Sequence, residues 1–176
     1  MKKIVVMMTA LFVTMTASAQ KLLEGDYPSL SGQKRINLVI DYSQMKIAKM
    51  SVTDWLAYRQ AEQPEYNAKD ELEKELKVAV QENLVKRVNE KLVKHGAFLV
   101  TDNSADYTLT VYPKNVAKKG NNEDDCTICD KSGKRLVSFQ INGSGGTFGS
   151  MGNLWGDGFK DSGKQLAKAM EKCFKK

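Results

Sequence analysis

The sequence predicts an α+β fold, a two-layer sandwich in which two main helices cover one face of a mixed five-stranded sheet. Several short segments alternate apolar and polar residues, as half-buried strands do. A long segment with the apolar spacing of a helix separates the first strand from the others, so the right-handed crossover rule places the first two strands parallel in one sheet. The later strands follow one another closely and predict an antiparallel meander, and a last helix follows them.

Residues 1–19 predict a secretory signal peptide, and residues 20–176 predict a single domain. Lys2 and Lys3 precede an apolar run of about ten residues, too short to span a bilayer, and Ala17-Ser18-Ala19 has the small residues of a cleavage site. We expect an exported protein, periplasmic or extracellular, with no transmembrane segment after the signal peptide. Removal of the signal peptide lowers the net charge from +6 to +4. Because the lysines are scattered among acidic residues, the pattern does not favour nucleic acid as a partner.

The first strand and the helices after it have clear boundaries in the sequence. Residues 20–35 predict a lead-in loop, and residues 35–42 alternate as a strand. Ser51, with Asp54 three residues later, resembles a capping box for a short helix. Asn67 is the predicted N-cap of the main helix, and Gly96 is its predicted left-handed stop.

The apolar residues of the main helix recur at every fourth position. On a helix with 3.6 residues per turn, each such step turns the stripe by about 40°. We therefore expect either a stripe that winds around the helix, with its two ends on different neighbours, or a helix that curves over a twisted sheet. The stripe consists of Leu72, Leu76, Val80, Leu84, Val88 and Leu92.

The second half of the chain contains the remaining strands and a glycine-rich segment, residues 143–159. This segment includes Phe148, Met151 and Trp155, and it leads into a last helix predicted over 157–174. The three large apolar residues form a partner-binding patch if they are exposed. If they fold back, they fill the gap between the sheet and the last helix. The four later strands are predicted at 98–101, 107–111, 126–130 and 137–141, with a charged loop at 118–125.

Cys126 and Cys129 are separated by two β-branched residues, and Cys173 is the third cysteine. If the pair lies on a strand, its Cα atoms are about 10 Å apart, beyond the reach of a disulfide. A redox pair at a helix start, or a zinc site completed by His95, therefore fits less well than a structural role. We expect Cys126 and Cys173 to meet in the core, as a disulfide or as two packed thiols. If Cys129 is the residue of the pair that points inward, it takes the place of Cys126. No metal or cofactor is predicted.

Four stretches of the chain carry a resemblance to known proteins. They are residues 39–43 (VIDYS), 105–109 (ADYTL), 130–134 (DKSGK), and the glycine-rich 143–149 together with 156–159. In these stretches the chain resembles an uncharacterised family of small exported proteins of Gram-negative bacteria. The strand, helix, strand and meander order also resembles the topology of the amino-terminal domain of TolB. The resemblance implies an envelope protein and carries over no catalytic residue.

The sequence favours a non-enzymatic binding module whose partner is another envelope protein or a surface component. Two alternatives stay open: a small-molecule or lipid carrier with a pocket between sheet and helices, and a thiol-redox protein that uses Cys126 and Cys129. An exposed apolar patch favours the binding module, whereas a closed apolar cavity favours the carrier. A cysteine pair at the start of a helix favours the redox protein.

Overall fold

A computed structural model describes residues 20–175, which form eight strands and three helices. The predicted signal peptide, residues 1–19, lies outside the described residues. The strands are β1 (Gln20–Gly25), β2 (Arg35–Ile40), β3 (Lys46–Ile47), β4 (Met50–Ser51), β5 (Phe98–Val100), β6 (Thr108–Val116), β7 (Asn122–Cys129) and β8 (Arg135–Gly143). The helices are α1 (Val52–Glu62), the long helix α2 (68–95) and α3 (Met151–Lys172).

All eight strands belong to one mixed sheet whose main order is β1-β8-β7-β6-β2-β5. β2 lies parallel to β5, as the crossover through α2 predicts. β2 also lies parallel to β6 on its other side, a pairing that the sequence did not predict. β6, β7, β8 and β1 form an antiparallel meander, and the short β3 joins β6 in parallel and β4 in antiparallel pairing. The α+β class and the mixed sheet are therefore confirmed, whereas the description with five strands and two helices is wrong.

Strands β1, β3 and β4 were not predicted, because none of them shows the alternation of apolar and polar residues that indicates a strand. β1, which lies within the predicted lead-in loop, is an edge strand that pairs only with β8, and most of its side chains are exposed. An edge strand exposed in this way needs no alternating apolar residues. β3 and β4 have two residues each, too few to show any period. β7 also starts earlier than predicted, at Asn122, within the predicted charged loop.

The capping predictions for α1 and α2 agree with the structure. The Ser51 hydroxyl accepts a hydrogen bond from the Asp54 backbone N–H at 3.1 Å. The Asn67 side chain accepts one from the Asp70 N–H at 3.0 Å. Gly96 follows the long helix with φ of +68°, the left-handed conformation that glycine adopts without steric cost.

The apolar stripe of α2 is buried along its whole length, from Leu72 to Leu92. Two segments of the helix, Glu71–Leu76 and Val80–Val85, are π-helical. A π-helical turn closes its hydrogen bonds five residues apart and is wider than an α-helical turn. A four-residue step is therefore closer to one full turn there, so the widened turns reduce the winding that a regular α-helix imposes on this spacing.

α3 starts at Met151, six residues before the predicted position, because the glycines of the preceding segment are part of the helix. Ser150 is the N-cap, and its hydroxyl accepts a hydrogen bond from the Asn153 N–H at 3.3 Å. At Gly158 a Cβ would lie 1.9 Å from the backbone oxygen of Gly120. Glycine at this position lets α3 lie directly on the chain segment that leads into β7.

The core lies between the inner face of the sheet and the three helices. β7 and β8 contribute alternate residues to it, and α3 contributes its buried face. The largest fully buried side chains are Trp55, Trp155, Phe139, Phe159, Leu30 and Ile36. These side chains all belong to one hydrophobic core cluster.

Candidate docking groove

A groove lies between the amino-terminal half of α3 and the neighbouring turns of α2, and it is called the docking groove below. The two helices run parallel, because Gly152 of α3 lies beside Glu75 of α2 and Gly163 lies further along beside Leu84. The groove has a volume of about 650 Å³. Its lining includes Glu75, Val78, Glu82, Phe148, Asp157 and Lys160.

The wall of the docking groove on the α3 side is formed partly by glycine backbone. A Cβ at Gly152 would lie 2.3 Å from Glu75 Oε2, whereas a Cβ at Gly156 would lie 3.5 Å from Asn83 Nδ2, an ordinary contact. The absence of side chains at these two positions keeps the groove open along α3. It also brings the carboxylate of Glu75 close to the backbone of α3.

Phe148 stands at the docking groove and is 89% exposed. It precedes the Ser150 N-cap by two residues, and Gly149 between them has φ of +126°, a conformation that favours glycine. This turn places Phe148 before the first residue of the helix rather than on the buried face of α3. A large aromatic side chain is therefore held in solvent by a defined backbone turn.

The docking groove is acidic although the protein is basic. Three of its lining residues, Glu75, Glu82 and Asp157, are carboxylates, against one cation, Lys160. The Tyr66 hydroxyl donates a hydrogen bond to Glu75 Oε1 at 2.9 Å. Within residues 20–175, neither Glu82 nor Asp157 forms an ion pair. The chain as a whole carries a net charge of +6, so this groove is a local reversal of sign.

The structure separates the three residues of the predicted partner-binding patch. Phe148 is exposed at the docking groove, and Met151 is half-buried against the core. Trp155 is fully buried, and its Nε1–H donates a hydrogen bond to the backbone oxygen of Ala117 at 3.1 Å. Trp155 is thus unavailable to a partner, which corrects its place in the patch. Met151 and Trp155 are four residues apart on one helix, so they share the face that α3 turns inward.

The acidic residues of the docking groove had no role in the sequence prediction. Glu75 and Glu82 are seven residues apart on α2, which places them on one side of a helix. That spacing was available in the sequence. The sequence did not show that α3 begins at Met151, after its N-cap Ser150, and this earlier start brings Asp157 alongside them.

The three cysteines are free thiols in the structure. Cys126 and Cys173 are buried and Cys129 is half-buried, and none of the three forms a disulfide. Burial raises the pKa of Tyr27 to about 12, and electrostatic interactions with Cys173 and Cys126 raise it further. Both Cys126 and Cys173 belong to the buried core without a disulfide between them, and their packing against each other stays a prediction.

A redox role for Cys126 and Cys129 lacks the geometry that such chemistry uses. Both residues lie within β7 rather than at a helix start, and Cys126 faces the core. Burial, reinforced by Asp124 and Asp125, raises the pKa of Cys126 well above its ordinary value, and burial raises the pKa of Cys173 to about 12. A protonated buried thiol is a poor nucleophile. His95, which would have completed a zinc site, stacks on Phe174 with ring centroids 4.7 Å apart.

Asp124 is a carboxyl group in the centre of the core, between β7 and α3. It is fully buried, and neither of its oxygens has a hydrogen-bond partner. The nearby Ser162 hydroxyl donates its one proton to Asn122 Oδ1. Burial raises the pKa of Asp124 to about 7, and the Ser162 hydroxyl opposes part of this rise. Sequence reasoning missed this residue, because the acidic run 123–125 resembles a solvated loop.

Neither a metal-binding cluster nor a membrane-spanning helix is present in residues 20–175. Among residues 20–175 there is no group of three or more His, Cys, Asp or Glu side chains arranged to hold a metal ion. In the same part of the chain, no helix combines the length and apolar character that a membrane span requires.

Comparisons with known proteins return distant similarities to solved structures alone. No family model and no curated protein matches the chain. The chain is similar to a point variant of the PelC dodecamer from Paraburkholderia phytofirmans, with 10% identity, coverage of 86% of this chain and 96% of that chain, and a TM-score of 0.43. A second PelC dodecamer from this organism gives 9% identity, coverage of 84% and 95%, and a TM-score of 0.41. Protein XCC0632 from Xanthomonas campestris, described with the family model DUF330, gives 12% identity, coverage of 82% and 86%, and a TM-score of 0.36. Similarities of this size carry no argument about function, and they do not confirm the topological resemblance to TolB.

Proposed function

We propose that this protein is a non-enzymatic envelope protein, exported to the periplasm or the cell exterior, that binds a partner protein through the docking groove. The observation that carries the proposal is Phe148, which is 89% exposed at the rim of the groove. Burying an exposed phenylalanine contributes about 1.5–3 kcal/mol. Aromatic side chains in the centre of a contact supply much of the binding energy of protein interfaces.

The acidic lining of the docking groove defines the chemistry of the partner. Glu75, Glu82 and Asp157 outnumber the single Lys160, so a segment that carries Lys or Arg beside an apolar side chain complements both the charge and the ring of Phe148. Exposed charge pairs of this kind contribute more to association rate and specificity than to affinity. The occupant of the docking groove is therefore a basic, amphipathic polypeptide segment.

The test is capture of partners from envelope extracts of the source cells, followed by direct binding with the purified candidate. We expect Phe148→Ala to weaken direct binding at least about tenfold, from loss of the buried ring. Glu82→Lys is expected to weaken binding more strongly at low salt than at high salt, because it reverses a charge opposite a basic segment.

Val93→Ala provides a matched control, because Val93 is another exposed apolar side chain, 67% exposed, on α2 outside the groove. It is expected to bind as the wild type does. The proposal is wrong if Phe148→Ala and Glu82→Lys both retain wild-type affinity for every captured partner, or if the partner's contact segment carries no Lys or Arg.

A further inference from the structure

The outer face of the sheet, opposite the helices, contains a second concave site that has no part in the docking groove. Its volume is about 520 Å³, within the usual range for small-ligand pockets. It is called the sheet-face pocket below. Strands β6, β7 and β8 and the chain around β3 contribute its lining, which includes Gln44, Lys46, Tyr112, Thr127, Arg135 and Ser138.

The centre of the sheet-face pocket is formed by two hydroxyl groups. Thr127 of β7 and Ser138 of β8 are direct cross-strand partners, and they are only 8% and 9% exposed. Within residues 20–175, neither hydroxyl takes part in a hydrogen bond. A polar group at such low exposure is expected to have a partner, so these two hydroxyls are available to a ligand in the pocket.

The charges around the sheet-face pocket leave a positive excess. Asp125 is its one carboxylate, and both of its oxygens are already engaged, by Lys114 Nζ at 2.9 Å and by Gln140 Nε2 at 3.1 Å. Lys46 forms no ion pair with any residue in the part of the chain that the structure describes. Arg135 has only a long contact of 3.4 Å with an exposed carboxylate, Glu24, and such surface pairs contribute little.

We propose that the sheet-face pocket binds an acidic saccharide. The unpaired hydroxyls of Thr127 and Ser138 suit a ligand with many hydroxyl groups of its own, because buried polar groups that stay unpaired would disfavour an apolar ligand. Tyr112 offers an aromatic side chain with both an apolar ring and a hydroxyl. Lys46 and Arg135 supply the positive charge that a carboxylate or another anionic group on the sugar requires.

The site lies on central strands of the sheet rather than on loops. Tyr112, Thr127 and Ser138 belong to three adjacent hydrogen-bonded strands. Binding groups on such elements keep their spacing without a ligand, so little ordering cost is expected on binding. The sheet-face pocket and the docking groove lie on opposite faces of the sheet, so ligand binding in the pocket does not depend on the docking function.

Isothermal titration calorimetry of the purified protein tests the proposal with two acidic probes, trigalacturonate and a di-N-acetylneuraminate, at low ionic strength. Maltotriose serves as the neutral saccharide and inorganic phosphate as the simple anion. We expect at least one acidic saccharide to bind at least about tenfold more tightly than either control, because hydrogen bonds between a cationic side chain and a carboxylate are stronger than neutral ones and the saccharide also engages the hydroxyls.

Variants then assign the binding to the pocket. Arg135→Gln is expected to weaken binding about tenfold by removing a charge, and Thr127→Val by several-fold by removing a hydroxyl at constant shape. Phe148→Ala, on the other side of the molecule, is the matched control and should bind as the wild type does. Circular dichroism confirms that each variant is folded.

Four outcomes overturn the proposal. They are no binding of either acidic saccharide at millimolar concentration, equal binding of maltotriose, equal binding of inorganic phosphate, and binding that neither Arg135→Gln nor Thr127→Val changes. None of these outcomes bears on the docking groove, whose own test uses Phe148 and Glu82.

Discussion

Asp124→Asn is expected to stabilise the protein above neutral pH, although it replaces a residue in the centre of the core. Asn has the shape of the protonated acid and cannot ionise. Asp124 is fully buried and neither of its oxygens has a hydrogen-bond partner. Burial raises its pKa from the ordinary 3.8 to about 7, so the folded protein resists ionisation of this group.

The sign and size of the effect follow from proton linkage. Between pH 4 and pH 7 the unfolded chain has lost the proton of Asp124 while the folded protein keeps it, so the free energy of unfolding falls as the pH rises. Each unit of pKa difference corresponds to about 1.4 kcal/mol. A difference of about three units makes the wild type less stable by about 4 kcal/mol at pH 8 than at pH 4 through this group alone.

Urea unfolding of the two proteins at pH 4, 6 and 8 measures this contribution. We expect the stabilities to be similar at pH 4 and the variant to gain progressively, by up to about 4 kcal/mol at pH 8, with no change in the urea dependence. Taking the difference between variant and wild type cancels the other titrating groups. Asp125→Asn is the control, because it removes the ion pair with Lys114 at 2.9 Å and is expected to destabilise at pH 8.

A constant difference between wild type and Asp124→Asn from pH 4 to pH 8 would refute the reasoning. Destabilisation of the variant at pH 8 would also refute it, because it would show that the folded protein stabilises the ionised carboxylate rather than raising its pKa. Either result would mean that Asp124 is solvated or paired in the folded protein.

Two further predictions concern close packing and the thiols. Gly158→Ala is expected to lower the free energy of unfolding by about 1–3 kcal/mol, because the Cβ of the new alanine would lie 1.9 Å from a backbone oxygen. Gly156→Ala is the matched control: its Cβ meets nothing closer than 3.5 Å, so it should be neutral or stabilising by up to about 1 kcal/mol, and equal losses in both urea melts would contradict the packing. Alkylation of the unfolded, unreduced protein should label all three cysteines by intact mass, whereas two unlabelled residues would show a disulfide between Cys126 and Cys173. In the folded protein we expect Cys129 to be labelled first, because it is the least buried of the three.

The sequence predicted the helix ends and strands that depend on interactions between residues close together in the chain. The N-cap at Asn67 and the stop at Gly96 depend on hydrogen bonds and backbone angles within a few residues of each position. The alternation in β8 reflects a strand with one buried face, and Val137, Phe139 and Ile141 are all fully buried. The parallel pairing of β2 with β5 follows from chain connectivity and helix handedness.

The candidate sites depend on contacts between segments that are distant in the chain, which no local pattern encodes. Phe148 and Trp155 are both large aromatic residues of the glycine-rich segment. Because α3 begins after the cap at Ser150, Phe148 lies in solvent and Trp155 lies in the core.

The amino-acid sequence by itself determined the α+β class, the long helix with its caps, and the location of Cys126 on a strand. These features depend on residues close together in the chain. Only the tertiary structure decided that Asp124 is buried without a partner, that Glu75 and Asp157 face one groove, and that Thr127 and Ser138 share a pocket. The physical reason is that burial, charge proximity and cavity shape are properties of packed neighbours, and those neighbours come from separate helices and strands.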